Sequence, residues 1–261
     1  MEKPIFDSWE TIRLNNDQVS TFDDVIAVES PLTFIVNGEE FATVVCTPNH
    51  LRELVIGFLV SEGVIRFHDD IKSIQIDEQH GFAYIELTKK LQKTEPSKRV
   101  INSCCGISRQ FYFQSDLQTA RTNDYPLTIS PNQCLHLMTL LQNASTDFKK
   151  TGGFHNAGLC TVDELLAIRT DIGRHNALDK IHGYIFLNKI SVRDKVIVFS
   201  GRISSEVLLK VSKMGIAIIV STSAPTNLAL ELAHDLGITA IGFTRGNKMS
   251  IYTHPQRIIE P

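Results

Sequence analysis

Apolar residues in this chain follow two patterns. Between Leu32 and Leu87 they recur first at alternate positions and then at helical spacing; after Lys195 they come in short unbroken runs. Leu32-Thr33-Phe34-Ile35-Val36 and Phe41–Cys46 flank Asn37-Gly38, a pair suited to a two-residue hairpin turn because both positions accept positive φ. Thr47-Pro48 offers an N-cap and a first helical residue. Leu51, Leu54, Val55, Phe58 and Leu59 then return at helical spacing, predicting a helix with one buried face that Gly63 ends. Further strands are expected at Ile71–Ile76 and Phe82–Leu87, whereas residues 1–30 read as polar and irregular.

Ser130-Pro131 opens another helix, with Cys134, Leu137, Met138 and Leu141 on its buried face. Cys134 is thereby explained as core, as is Cys46 at the end of an apolar strand. Toward the C-terminus, strand Lys195–Ser200 precedes a helix over Ser204–Met214. Strand Ile216–Ser221 precedes a helix from about Pro225 to Leu236, ended by Gly237, and strand Ile238–Phe243 follows. Short β-branched strands joined by helices imply an α/β fold with a mainly parallel sheet covered on both faces. The expected organisation is a small N-terminal α+β subdomain over 1–92, a cysteine loop over 93–110 and an α/β ligand-binding domain over 111–261.

Composition narrows the class. At 261 residues with 43% hydrophobic content, the chain can bury a full core. A net charge of −3 gives no broad drive toward nucleic acid. No run of 18 apolar residues is present and Met1–Asp7 lacks a signal-peptide pattern, so no membrane association and a cytoplasmic location are expected. Five cysteines do not suggest a disulfide framework.

Three groups of residues could carry chemistry. Cys104-Cys105 precedes Gly106 and Arg109; a nearby cation favours the thiolate, the form in which cysteine is a nucleophile. The alternative is two small core residues. The predicted strands end in Ser200-Gly201-Arg202, Ser221–Pro225 and Phe243-Thr244-Arg245-Gly246-Asn247-Lys248. Ligands of open α/β sheets bind beyond such ends, and arginine matches phosphate with a planar fork of donors. A phosphate-bearing ligand such as a nucleotide fits; so does a set of ordinary helix caps and turns. Finally, His155 follows Gly152-Gly153, and Arg169, Asp171, Arg174 and His175 crowd seven positions at the expected start of a helix. They read either as a pocket floor, with a carboxylate for guanine-type donors and cations for phosphates, or as solvated helix-end charges. Adjacent cysteines and scattered histidines argue against structural zinc.

Taken in order, Asn37-Gly38, Thr47-Pro48, Gly57-Phe58-Leu59, Ser61-Glu62-Gly63, Ser103-Cys104-Cys105-Gly106, Thr151–His155, Asp171–Lys180, Ser200-Gly201-Arg202, Ser223–Thr226 and Gly242–Arg245 resemble the FdhD family of sulfur carriers. The resemblance implies a cytidine-deaminase-like layered α/β/α domain. It also implies sulfurtransferase activity: persulfide sulfur is taken from a cysteine desulfurase and passed to the molybdenum cofactor, in its bis-molybdopterin guanine dinucleotide form, for formate dehydrogenase. The first cysteine of the family's Cys-Gly-x-Cys motif falls on Cys105; Ser108 replaces the second. The family's cofactor-binding segment falls on Phe243–Lys248, and a homodimer is implied. Asp171, Arg174, His175 and Arg202 are further candidates for holding the cofactor. A cofactor-binding chaperone is the alternative function. A zinc hydrolase is disfavoured, because His155-Asn156-Ala157 lacks the deaminase glutamate and no Cys-x-x-Cys follows.

Overall fold

The computed structural model describes residues 3–16, 18–89, 100–101, 120–123 and 126–259. Of the predicted cysteine loop over 93–110 only Val100 and Ile101 are described, as a short strand; Cys104, Cys105 and Arg109 lie outside the described residues.

The N-terminal part contains a five-stranded sheet ordered β5-β6-β3-β4-β7, with β3 Ser30–Val36, β4 Glu39–Cys46, β5 Ile71–Asp77, β6 Phe82–Leu87 and β7 Val100–Ile101. Asn37 and Gly38 make the β3–β4 turn at φ +51° and +82°, the positive values that the dipeptide tolerates. Leu32, Phe34, Val36, Ala42, Val44 and Cys46 point from this sheet onto helix α1, Leu51–Ser61, whose Leu51, Leu54, Val55, Phe58 and Leu59 complete the core. The helix starts later than predicted: His50, at φ +49°, is its cap residue, and Thr47 is used elsewhere.

Residues 1–30 are not irregular. β1 Phe6–Asn15 and β2 Gln18–Ala27 form a separate antiparallel ribbon, in unbroken register from Phe6↔Ala27 to Asn15↔Gln18. Polar and apolar side chains mix on both of its faces, which removes the alternation that marks a half-buried strand.

The C-terminal part is a three-layer α/β unit. Its sheet runs β13-β12-β11-β10-β8-β9, with β8 His155–Cys160, β9 Leu165–Asp171, β10 Val196–Phe199, β11 Ile218–Ser221, β12 Thr239–Arg245 and β13 Lys248–Ile251. The three strands of the predicted βαβαβ run pair in parallel as expected. Antiparallel pairings extend them on both sides, through β8–β9 next to β10 and β13 next to β12. Along β10, Val196 and Val198 face helix α2, Pro131–Ala144. Ile197 and Phe199 face the opposite layer, α4 Arg174–Leu187, α5 Ser205–Met214 and α6 Asn227–Asp235. The short helix α3, Thr146–Thr151, ends at Gly152 in the left-handed region. Ser130 and Gln133 form the reciprocal capping box at the start of α2, and Cys134, Leu137, Met138 and Leu141 are its buried face, as predicted. Among the described residues no helix is long and apolar enough to cross a membrane.

Helices α1 and α4 join the two parts by close backbone approach. A Cβ on Gly57 would stand 1.7 Å from the Asp179 carbonyl oxygen, and one on Gly183 would stand 1.9 Å from that of Glu53. No side chain fits at either crossing point. Gly57→Ala should therefore cost at least the upper end of the usual 1–3 kcal/mol for overpacking, about 3 kcal/mol. Denaturant unfolding checks this; an unchanged midpoint would show that the helices part easily.

Candidate functional site

The carboxyl ends of β9, β10, β11 and β12 and the start of β8 share one rim of the six-stranded sheet. His155 pairs with Asp171, and Phe199 with both Ala157 and Ser221. Hydrogen bonds lace the loops leaving this rim. Ser221 Oγ donates to the Gly201 carbonyl at 2.7 Å and Thr222 Oγ1 to that of Ser200 at 3.0 Å. The Phe243 amide donates to the Ser223 carbonyl at 3.2 Å, and Arg245 Nε to that of Thr222 at 3.0 Å. Ser200 Oγ accepts from the Asn156 amide at 2.9 Å. These hydroxyls thus shape the loops, much as ordinary turn chemistry would.

The groups left facing solvent are those of the predicted binding segment. β12 is irregular between Gly242 and Arg245; Phe243 there takes φ +52° and is exposed. A non-glycine residue at positive φ is an uncommon conformation, and here it presents an aromatic face at the rim. Arg245, Gly246, Asn247 and Lys248 are exposed, as is Arg202 at the neighbouring strand end. Thr244 is fully buried, and its Oγ1 has no hydrogen-bond partner among the described residues. Exposed cations beside an aromatic ring and open backbone can receive a phosphate-bearing, stacked ligand.

Arg174 and His175 open α4 behind the cap residue Gly173. Arg169 and Asp171 belong instead to β9, so the crowded segment is a strand end and a helix start rather than one helix. His175 Nε2 lies 3.3 Å from the Glu206 carboxylate. Burial, aided by Lys210, Arg174 and His155, holds the His175 pKa down at about 3, so a neutral imidazole makes this contact. Burial and Arg174 also lower the His155 pKa.

Asp171, which the sequence offers either as a ligand-facing carboxylate or as a helix-end charge, is neither: it is fully buried and its oxygens are committed. Oδ1 accepts from the Gly173 amide at 2.8 Å and Asn176 Nδ2 at 3.0 Å; Oδ2 accepts from the Thr47 amide at 3.1 Å and meets Lys180 Nζ at 2.7 Å. Lys180, equally buried, also donates to the carbonyls of Thr47 and Thr170, both at 3.1 Å, and to Asn49 Oδ1 at 2.6 Å. The Ile172 amide returns a bond to Thr47 Oγ1 at 3.0 Å. Thr47, read from sequence as a helix cap, thus fastens the end of β4 to the rim.

A second buried polar group, also missed in the sequence, lies one turn along α4. Asp179 Oδ1 accepts from Ser61 Oγ at 2.8 Å and Lys210 Nζ at 2.6 Å, and Ser61 Oγ lies 3.1 Å from His182 Nδ1. The spacing His175, Asp179, His182 on α4 against Glu206, Lys210, Lys213 on α5 repeats at i, i+4 and i+7, a signal that could have revealed it.

Cys46, Cys134 and Cys160 are buried, and burial above all pushes each thiol up to about 12. None of the three can supply a thiolate near neutral pH.

Fold and rim define a layered α/β protein with exposed cations at its strand ends. Comparison makes the assignment specific: the FdhD/NarQ family profile matches residues 27–259, and the chain belongs to that family. It is 55% identical over 260 residues to the sulfur carrier protein FdhD of Bacillus licheniformis, covering 99% of each chain. It is likewise 55% identical over 256 residues to that of Bacillus subtilis, covering 97% of each. Its fold superposes with a TM-score of 0.81 on a crystal structure from Desulfotalea psychrophila described as a formate dehydrogenase accessory protein. That likeness has 24% identity and covers 98% of this chain and 100% of the other.

Two outcomes test this electrostatic reading. Lys180→Met leaves a buried carboxylate without its cation and should cost about 3–5 kcal/mol in denaturant unfolding. Lys180→Met with Asp171→Asn should cost less, and equal losses would show that the pair is not coupled. For pH, His182 is held down at about 3, mainly by burial. The unfolded chain therefore binds the extra proton first as pH falls from about 6.5, and stability drops progressively toward pH 3. His182→Gln should flatten that acid limb in urea titrations at stepped pH; an unaltered slope would contradict the assignment.

Proposed function

We propose that this protein is a sulfurtransferase of the carrier type. It accepts persulfide sulfur from a cysteine desulfurase on Cys105 and delivers it to the bis-molybdopterin guanine dinucleotide form of the molybdenum cofactor, bound at the rim, for formate dehydrogenase. The observation that carries the reading is identity of 55% over nearly the whole chain to proteins named sulfur carriers. The thiols support it by elimination. Three of the chain's five cysteines are sealed in core, which leaves Cys104 and Cys105 as the candidates.

Reach also supports it. β7 pairs in parallel with β4, Val44 opposite Ile101. Three residues beyond Val44, Thr47 is bonded to Asp171. Cys105 follows Ile101 by four residues, a span of at most about 14 Å of extended chain. Chain length alone therefore keeps residue 105 within that distance of Ile101, whose partner Val44 lies on the strand fastened to the rim.

In the first step the Cys105 thiolate attacks the outer sulfur of the donor's persulfide. A new S–S bond forms on Cys105, the donor's S–S bond breaks, and the donor cysteine leaves as a thiolate. No net oxidation occurs, because the sulfane sulfur is exchanged between thiols. At the rim, Arg245, Lys248, Arg202 and Arg174 supply the positive charge a guanine dinucleotide's phosphates require. Phe243 supplies a face on which a base can stack.

Incubation with a desulfurase and cysteine, followed by intact-mass measurement, should add one sulfur atom to the native chain and to Cys104→Ala, but not to Cys105→Ala. An unmodified native chain would favour the cofactor-holding chaperone instead. Arg245→Ala should weaken GDP binding at least tenfold, about the worth of one charge-assisted hydrogen bond, in calorimetric titration. Unchanged affinity would move the nucleotide away from the β12 segment.

A further inference from the structure

Phosphates and a stacked base satisfy the rim's cations and Phe243, yet neither contact chooses a base. Stacking is tolerant, because every heteroaromatic ring has a π-face, and the arginine fork answers phosphate whatever nucleoside carries it. Choice needs a group that meets the polar edge of the ring. Guanine and the pterin of a molybdopterin share one such edge, that of a 2-amino-4-oxopyrimidine, with a ring N–H and an amino group side by side. Two adjacent donors are matched by a single carboxylate, which accepts on both oxygens.

The segments at the rim, residues 151–155, 171–176, 200–206, 221–227 and 243–248, contain two carboxylates, Asp171 and Glu206. Asp171 is sealed from solvent, with its oxygens engaged by Gly173, Asn176, Thr47 and Lys180. Glu206 is the opposite case. It stands in the first turn of α5, just past the cap residue Ser204, and its side chain is 38% exposed. Its Oε2 lies 3.3 Å from His175 Nε2. An imidazole nitrogen facing a carboxylate carries the proton, so this neighbour leaves the carboxylate ionised and able to accept. Oε1 has no hydrogen-bond partner among the described residues.

The helix dipole accounts for a glutamate in a first turn. It does not account for an imidazole set against that glutamate from another helix. Gly201 makes the approach possible: a Cβ there would stand 2.9 Å from the Phe199 ring and 3.4 Å from the Arg174 Cβ. The loop from β10 into α5 is thereby pressed onto the start of α4, and it carries the exposed Arg202, a donor suited to the ring's carbonyl oxygen.

Given a cofactor held at the rim, on which this step rests, we propose that Glu206 is the specificity-determining residue: its carboxylate accepts from the ring N–H and the amino group of a 2-amino-4-oxopyrimidine edge, guanine's or the pterin's. Adenine is rejected, because it turns a ring-nitrogen lone pair toward the carboxylate where guanine offers an N–H.

Calorimetric titration of the full chain with GDP and IDP, and fluorescence titration with pterin and lumazine, read the edge directly, since IDP and lumazine lack the 2-amino group. The native chain should prefer the amino member of at least one pair by about tenfold or more, the worth of a hydrogen bond to a charged group. Glu206→Gln, which keeps the size but exchanges an acceptor oxygen for a donor, should bring that preference to within about twofold. Cooperative unfolding of the variant separates this loss from misfolding. A preference lost in the nucleotide pair puts guanine at Glu206; one lost in the pteridine pair puts the pterin there. A native chain that binds GDP with no preference in either pair would overturn the role of Glu206 and leave the rim a nucleotide site. So would a preference that survives Glu206→Gln. A native chain that binds neither GDP nor pterin would overturn the cofactor's placement at the rim and this role together.

Discussion

The Asp171–Lys180 ion pair is the constraint on which the arrangement depends. Both side chains are fully buried, where an unpaired charge costs several kcal/mol, so neither can leave without the other. The pair is tolerated because its remaining hydrogen-bonding capacity is met by Thr47, Asn49, Thr170, Gly173 and Asn176. These partners come from the β4–α1 connection, from β9 and from the start of α4. A network that is satisfied only when three elements meet fixes their relative positions, which apolar contact alone does with less directional precision. Asn176 adds a bond to the Val45 carbonyl at 2.8 Å, tying α4 to β4 a second time.

The glycines at the α1–α4 crossing make that meeting possible. With Cβ atoms at 57 and 183 the helices would stand farther apart. The same close crossing brings Ser61 within hydrogen-bonding distance of Asp179 on α4. A buried salt bridge is weak evidence for net stability; its consequence here is specificity of placement. One side of the network holds β4, against which β7 pairs. The other holds the rim with its exposed Phe243, Arg202, Arg245 and Lys248.

Elements whose signals are local were legible in the sequence. The Asn37-Gly38 hairpin, the Ser130–Gln133 capping box and the three strands from residue 195 onward follow from neighbours a few residues apart. The exposed, cation-bearing strand end at 243–248 was legible because strand ends of an α/β sheet are where open loops and cations collect. What escaped was set by distant partners. Thr47 looks like a helix cap until Asp171, 124 residues away, is brought to its amide. Asp171 looks like a helix-end or ligand-facing charge, because composition does not reveal that it is buried against Lys180. The β1–β2 ribbon escaped for another reason: with apolar groups on both faces, it lacks the period-two pattern by which strands are recognised.

The proposed function requires that one thiol, that of Cys105, hand its sulfur to a cofactor held at the rim. A single-turnover transfer tests it most directly. The protein, loaded with radiolabelled sulfane sulfur and freed of desulfurase, is mixed with the guanylated molybdenum cofactor, and label is followed in protein and cofactor fractions. The account predicts that label moves from Cys105 to the cofactor one atom per chain, and that the transfer is suppressed when Arg245→Ala weakens the rim. Label that stays on the protein while the cofactor is bound would contradict it.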